Sequence, residues 1–304
     1  MGKIELLKET AKTVTVGLFG LYVSFSSFLD PMSNRYEIRH QSRNVNVVSE
    51  EDNVEVESSK IYALLINSKD NDFLHNFSGE IDSIYQSLIK AGVSTDNIYI
   101  IDAENNKRIA NNFSSSLSGI DNSIKDLSNK IDKDDHFILY LTNHGGKNKK
   151  NSNSSEVYVK LKNKRTLKVS DLEEKLKPIK PKTSLMVFPP CFSGAFANRL
   201  GKGNIIAIST TTEDRIAYSI GLYSVDILAT RFFPKLLDPS KYDKNTDLNK
   251  DGKISIEEAF IDTANNDLLN NPLSPWRNIY QLRYENIDPS DISYKTSKNL
   301  KPNL

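Results

Sequence analysis

Cysteine is almost missing from this chain: Cys191 stands alone among 304 residues. One cysteine excludes an internal disulfide framework and a cysteine-rich zinc site, and leaves two roles, a small buried hydrophobe or a reactive thiolate. An excess of either charge is missing too, because 40 basic side chains face 39 acidic ones. No global field then draws the chain toward nucleic acid or anionic lipid, so partners must be chosen by local features. Nucleic acid is excluded further by the want of aromatic interleaving in the basic stretches and of a reading helix. No internal repeat is present, and low complexity is confined to the Lys/Asn/Ser loop 147–155 and the polar tail after Asn286.

What is present begins with Lys3, Lys8 and Lys12 ahead of an uncharged run from Thr13 to Leu29 rich in Val, Leu, Phe and Tyr. That pattern predicts an export signal or membrane anchor over 1–29, followed by a polar linker over 30–58 in which Asp30-Pro31 acts as a breaker. From Lys60 the pattern becomes regular. Short apolar runs at 61–66, 97–101, 137–141, 185–188 and 205–208 have strand length. Between them lie residues at helical spacing, Ile81, Ile84, Tyr85 and Leu88 closed by Gly92, then Ile120, Ile124, Leu127 and Ile131, with a further short helix from Ser170. Residues 156–169 predict a hairpin turning at Asn163-Lys164. Alternating strands and helices predict an α/β fold, a three-layer sandwich with a mostly parallel central sheet, as a catalytic domain over 59–235.

In open parallel sheets ligands sit beyond the carboxyl ends of the strands. Two such ends lead into unusual loops. The strand 137–141 runs into Thr142-Asn143-His144-Gly145-Gly146, and the strand 185–188 into Pro189-Pro190-Cys191-Phe192-Ser193-Gly194. A thiolate attacking a peptide carbonyl needs an imidazole to move the proton and amide donors for the developing oxyanion. His144 supplies the first, Cys191 the nucleophile, and the backbone N–H groups of Gly145 and Cys191 the donors. Glycine after the histidine removes a Cβ from the path of a close approach.

Strand, Asn-His-Gly-Gly, then about fifty residues later strand and Cys-Phe-Ser-Gly, resembles the caspase and legumain clan of cysteine peptidases. Cys191-Phe-Ser-Gly-Ala-Phe196 is similar to the legumain-like peptidases of prokaryotes, and Gly221-Leu-Tyr-Ser-Val225 to a legumain segment downstream. The resemblance covers roughly residues 60–233. It implies a caspase-like sandwich with His144 as general acid/base and Cys191 as nucleophile, acting on a peptide or protein substrate. One position departs from the family, which carries Glu or Gln two places before the nucleophile where this chain has Pro189. A proline offers no side-chain hydrogen bond, so the first specificity pocket must be built elsewhere. By resemblance, Ser209 to Asp214 lies along that pocket's wall, and the carboxylates of Glu213 and Asp214 predict Lys or Arg before the cut, with Asn second. Two alternatives share the same sequence: a transpeptidase, in which an amine intercepts the acyl-enzyme, and an inactive surface module that binds through the sandwich and a calcium loop.

That loop is Asp247-x-Asn249-x-Asp251-Gly252-Lys253-Ile254-Ser255-x-x-Glu258, which matches every ligand position of an EF-hand. Asp247, Asn249, Asp251 and Glu258 predict side-chain ligands and Lys253 a backbone carbonyl ligand for Ca2+, in a segment spanning 236–270. Calcium there braces the domain, since hard oxygen ligation has no part in thiolate attack. Residues 271–304 read as a disordered C-terminal extension. A calcium site and the N-terminal run together predict a protein working outside the cytoplasm, secreted or anchored to a membrane.

Overall fold

A computed structural model of the chain describes residues 36–39, 59–67, 75–102, 111–150, 154–219, 225–268, 277–290 and 292–294. The chain divides into two compact units, residues 1–34 and 35–304, and every described residue lies in the second. The uncharged run 13–29 and the segment 221–224 lie outside the described residues. Among those described, no helix is long and apolar enough to cross a membrane.

Eleven strands are described: β1 Tyr36–Arg39, β2 Ile61–Asn67, β3 Ile98–Asp102, β4 Asn111–Phe113, β5 His136–Thr142, β6 Gly145–Lys150, β7 Ser154–Lys160, β8 Thr166–Lys168, β9 Thr183–Phe188, β10 Ile205–Ser209 and β11 Tyr280–Arg283. The α-helices are α1 Phe77–Lys90, α2 Leu117–Lys130, α3 Val169–Leu176, α4 Gly194–Leu200, α5 Phe233–Leu237 and α6 Ile256–Asn266. Immediately before α5, Leu228–Phe232 forms a turn of π-helix. Eight strands make one sheet in the order β1-β11-β10-β9-β5-β2-β3-β4, and β6-β7-β8 make a second, three-stranded antiparallel sheet.

The central sheet is parallel except where β11 runs against β10. Its strands alternate between two cores, as a sheet covered on both faces requires. Ala63, Leu65, Ile138 and Tyr140 face one side, packing with Ile81, Ile84 and Leu88 of α1, Phe233 of α5 and Phe260 of α6. Tyr62, Leu64, Ile66, Phe137, Leu139 and Leu141 face the other, with Ile120, Ile124 and Leu127 of α2, Leu172 of α3 and Phe196 of α4. This is the three-layer α/β/α arrangement the alternating pattern predicts.

The hairpin turns where expected, with Asn163 and Lys164 both in the left-handed region at φ 61°. Four features differ from the sequence reading. Tyr36–Arg39, inside the segment 30–58 read as a linker, forms β1 and pairs with β11, a strand made by its partner and too short for periodicity to show. Residues 145–150 form β6 against β7 instead of part of a low-complexity loop; polar Lys and Asn side chains hide a strand whose pairing is made by the backbone. The domain does not stop at 235, because β11 inserts Tyr280 and Leu282 beside β10 with no measurable exposure. Four residues, Tyr280–Arg283, are too few for periodicity to stand out from a polar tail. Nor is 236–270 an appendage, since Ile254, Ile256 and Phe260 belong to the same core as α1.

Removing the Leu282 side chain should therefore unfold the sheet from within. Leu282→Ala is expected to cost about 2–5 kcal/mol in denaturant unfolding, against less than about 0.5 kcal/mol for the exposed Leu248→Ala control.

Candidate active site

The neighbouring strands β5 and β9 run parallel in register, Tyr140 opposite Val187, so the loops leaving their carboxyl ends emerge side by side. The first carries Asn143 and His144, the second Pro189, Pro190 and Cys191. All five line a narrow cavity of about 80 Å3 together with His75, Phe77, Glu80, Thr142, Ala217, Tyr218, Ser219 and Asp226.

Both loops carry strained backbone beside the reactive residue. Asn143, just before His144, has φ 150°, and Phe192, just after Cys191, has φ 64°. Non-glycine residues hold such conformations only where their surroundings over-determine them, each at a cost of roughly 1–3 kcal/mol. Here the constraints are visible. The Asn143 side-chain oxygen accepts the His144 N–H at 2.6 Å, and the Phe192 N–H donates to the Arg215 carbonyl at 2.7 Å. Gly145 is required by contact: a Cβ there would stand 2.0 Å from the Cys191 carbonyl oxygen and 3.0 Å from its nitrogen. The glycine lets the histidine loop approach the backbone of the nucleophile loop itself.

Cys191 Sγ collects backbone donors. Ala217 N–H reaches it at 3.4 Å, and the amides of Gly145 and Cys191 also hydrogen-bond to it. Burial nevertheless dominates and pushes the thiol above its ordinary range, the amide bonds offsetting only part of that cost. The resting sulfur is thus a thiol surrounded by groups suited to a negative charge. The His144 ring is held edgewise by two aromatic neighbours, His75 at 5.2 Å and Phe77 at 5.4 Å between centroids, and these two stack on each other.

The wall residues expected from the sequence are elsewhere. Ser209 is fully buried at the end of β10, and its hydroxyl has no partner among the described residues. Glu213 and Asp214 are exposed: Glu213 accepts from Asn198 and lines a broad groove of about 800 Å3 with Lys147, Glu156 and Arg199, while Asp214 accepts from the Thr212 hydroxyl at 2.5 Å. The cause is a close approach, since a Cβ on Gly194 would meet the Glu213 nitrogen at 2.6 Å, so the chain after β10 crosses over the start of α4. Its continuation, Ala217 to Ser219, is what reaches the cavity.

The acids at the cavity are Glu80 and Asp226, which the sequence reading missed. A signal existed: Glu80 interrupts the buried stripe Phe77, Ile81, Ile84 and Leu88 of α1, a place where an unpaired charge is costly. Asp226 carried a similar one, a lone acid between Val225 and the apolar run Ile227-Leu228-Ala229.

In the loop Asp247–Glu258, Asp247 accepts from the amides of Asp251 and Gly252 at 3.2 and 2.9 Å, Asn249 from Asp251 at 2.9 Å, and Asp251 from Lys253 at 2.8 Å. Gly252 makes the sharp turn at φ 81°. Glu258 accepts from the amides of Leu248 and Asn249 and closes a capping box with Ser255. Among the described residues no three His, Cys, Asp or Glu side chains gather as a metal-binding group.

A raised thiol sets the pH course of alkylation. Iodoacetamide should label Cys191 slowly at pH 7 and faster as pH rises, still without a plateau at pH 8.5; a plateau by pH 7 would mean a preformed thiolate.

The model of the Peptidase C13 family matches residues 101–266, more than half of the chain. No curated protein matches in sequence. A solved structure, protein GSU0716 from Geobacter sulfurreducens, superposes with a TM-score of 0.51 at 13% identity, covering 79% of this chain and 100% of that one, a likeness of fold alone. With the sandwich, the two adjacent loops and the matching family model in place, the chain belongs to the Peptidase C13 family and is a cysteine peptidase, a hydrolase.

Proposed function

We propose that the chain is an endopeptidase in which Cys191 is the nucleophile and His144 the general acid/base. The observation that carries this reading is the convergence of the Gly145 and Cys191 amides on Sγ beside the His144 loop. On substrate binding the Cys191 proton passes to His144 and the sulfur attacks the scissile carbonyl. The two amides hold the oxyanion of the tetrahedral intermediate. His144 returns its proton to the leaving amine, leaving a thioester. It then takes a proton from water, whose oxygen attacks the thioester, and the acid departs as the thiol is restored. Cleavage is favoured after Lys or Arg, with Asn second, because the acidic groups at the cavity are Glu80 and Asp226. The uncharged run behind Lys3, Lys8 and Lys12 supports work outside the cytoplasm, by secretion or membrane attachment.

Calcium is proposed for the loop Asp247–Glu258 as a brace, by way of Asp247, Asn249, Asp251, Glu258 and the Lys253 carbonyl. Support comes from the donor set, all hard oxygens at EF-hand spacing. The oxygens of Asn249 and Asp251 that accept a single amide N–H keep a lone pair for a cation, whereas both Glu258 oxygens and Asp247 Oδ2 already accept two hydrogen bonds each, so an ion there displaces some of those donors.

Cys191→Ala and His144→Ala should each lower kcat about 1,000-fold or more on a peptide library while the melting temperature stays near that of the parent. Near-native turnover in either variant overturns the assignment. Gly145→Ala should lose activity as well, since its Cβ forces the oxyanion donor away from Cys191.

Calcium at about 100 times its dissociation constant should add about 2.7 kcal/mol to stability, read as a rise in melting temperature that EGTA abolishes. Identical melting curves with calcium and with chelator reject the site.

A further inference from the structure

Glu80 and Asp226 face the cavity without a compensating cation. Glu80 is 2% exposed; its Oε2 accepts from the Tyr140 hydroxyl at 2.8 Å and its Oε1 from the Asp226 N–H at 3.0 Å, with the Thr142 side chain also bonded to it. Asp226 Oδ1 accepts from the Leu228 N–H at 2.7 Å. Among the described residues no Lys or Arg pairs with either carboxylate, and a further negative charge, Asp267, which accepts from the hydroxyl of Tyr280, acts on Asp226. A buried acid beside a half-buried one, with no positive partner among the described residues, is expensive as an anion, and the Glu80 charge raises Asp226. Burial lifts Glu80 to about 7, and burial together with the Glu80 charge lifts Asp226 well above its ordinary value, so the pair retains protons that solvated carboxylates would shed.

A second observation points to a ligand. Asn143 lines the same cavity, is 3% exposed, and its Nδ2 has no acceptor among the described residues. The cavity therefore presents acceptors without a cation and a donor without an oxygen, directly beside the thiol. A substrate residue seated before the scissile bond brings both missing groups, a side chain and a main-chain carbonyl.

We propose that this cavity is the pocket for the residue preceding the cut, that it takes a lysine or arginine side chain on Asp226 with Glu80 behind it, and that Asn143 Nδ2 donates to a substrate carbonyl. The assignment rests on the peptidase reading and gives its basic preference a structural source in place of Glu213 and Asp214. A cation entering between the acids favours their ionised forms, so binding near neutral pH expels a proton. Selectivity for a basic over a neutral residue then rises with pH through about 7, the value to which Glu80 is lifted. The other titratable groups around the pair are Tyr140 from β5, Tyr280 from β11, Asp267 after α6, and His75, His144 and Cys191 at the mouth. Those at the mouth act on every substrate alike, so the ratio between substrates cancels them.

The test uses the full chain and peptides identical except for Lys, Arg, Asn or norleucine before the cut. In hydrolysis, kcat/KM should be highest for Lys or Arg, and the Lys to norleucine ratio should climb between pH 5.5 and 8.5. Asp226→Asn should lower that ratio about 100-fold, and Glu80→Gln should flatten its pH course. Binding to the Cys191→Ala chain, read by fluorescence anisotropy, provides an arm independent of turnover. There the Lys peptide should bind at least ten times more tightly than the norleucine peptide, and the Asp226→Asn change should erase the difference. Equal binding of the two peptides, or a Lys preference that survives Asp226→Asn, overturns the pocket. Lys-selective binding with no hydrolysis by the parent chain sustains the pocket and instead removes the peptidase reading. Folding is checked by a variant-specific sign: a buried acid raised from 4.5 to about 7 loses its folding advantage as pH climbs between those values, so Glu80→Gln should gain melting temperature relative to the parent at pH 8 and not at pH 4.

Discussion

The parallel pairing of β5 with β9 is the constraint on which the site depends. Five residue pairs, His136–Thr183 through Tyr140–Val187, lock the two strands side by side, and both then end at the same edge of the sheet. Backbone hydrogen bonds set this spacing and the buried alternation of both strands fixes the register, because a slip by one residue would turn Phe137 and Leu139 from one core to the other. Each loop is afterwards bent by its own strained residue, Asn143 or Phe192, held by specific hydrogen bonds. The rigidity of two central strands thus brings His144 and Cys191 to one cavity.

Around that edge the chain arranges layers of unequal polarity. The thiol receives amide donors yet remains above its ordinary range, because burial outweighs three neutral N–H groups. On the other side of the cavity the acids are also held away from their preferred charge. A resting cavity whose thiol and acids are all disfavoured as anions would, in the proposed mechanism, store an electrostatic demand that an incoming substrate satisfies.

The calcium-type loop and β11 show how the C-terminal third is made part of the same body. Arg231, in the π-turn, grips Asp262 of α6 through two bonds at 2.6 and 3.0 Å, and Asp262 also accepts from Thr246 in the approach to the loop. Lys235 of α5 bonds Asp243 at 3.0 Å, and Lys90 at the end of α1 bonds the almost buried Asp238 at 2.8 Å. Partly buried pairs of this kind hold register more than they add stability. Through them the loop joins the helices that flank the cavity on the Asp226 side.

The sequence by itself determined the strands β2, β3, β5, β9 and β10, the helices between them, the turn at Asn163-Lys164, and the placing of His144 and Cys191 at one sheet edge, because each of these is written in local periodicity or in a residue type with few uses. It gave no hold on β4, β6 or β11, whose polar or very short segments are strands only by virtue of the neighbour they pair with. It also assigned the acidic wall to Glu213 and Asp214, the nearest carboxylates along the chain. Tertiary structure decided otherwise: the tight crossing at Gly194 turns those two toward solvent, while α1 and the segment before the π-turn deliver Glu80 and Asp226 from 111 and 35 positions before and after Cys191. Distance along the chain says little about distance across a parallel sheet, where every crossover returns the chain to the same edge.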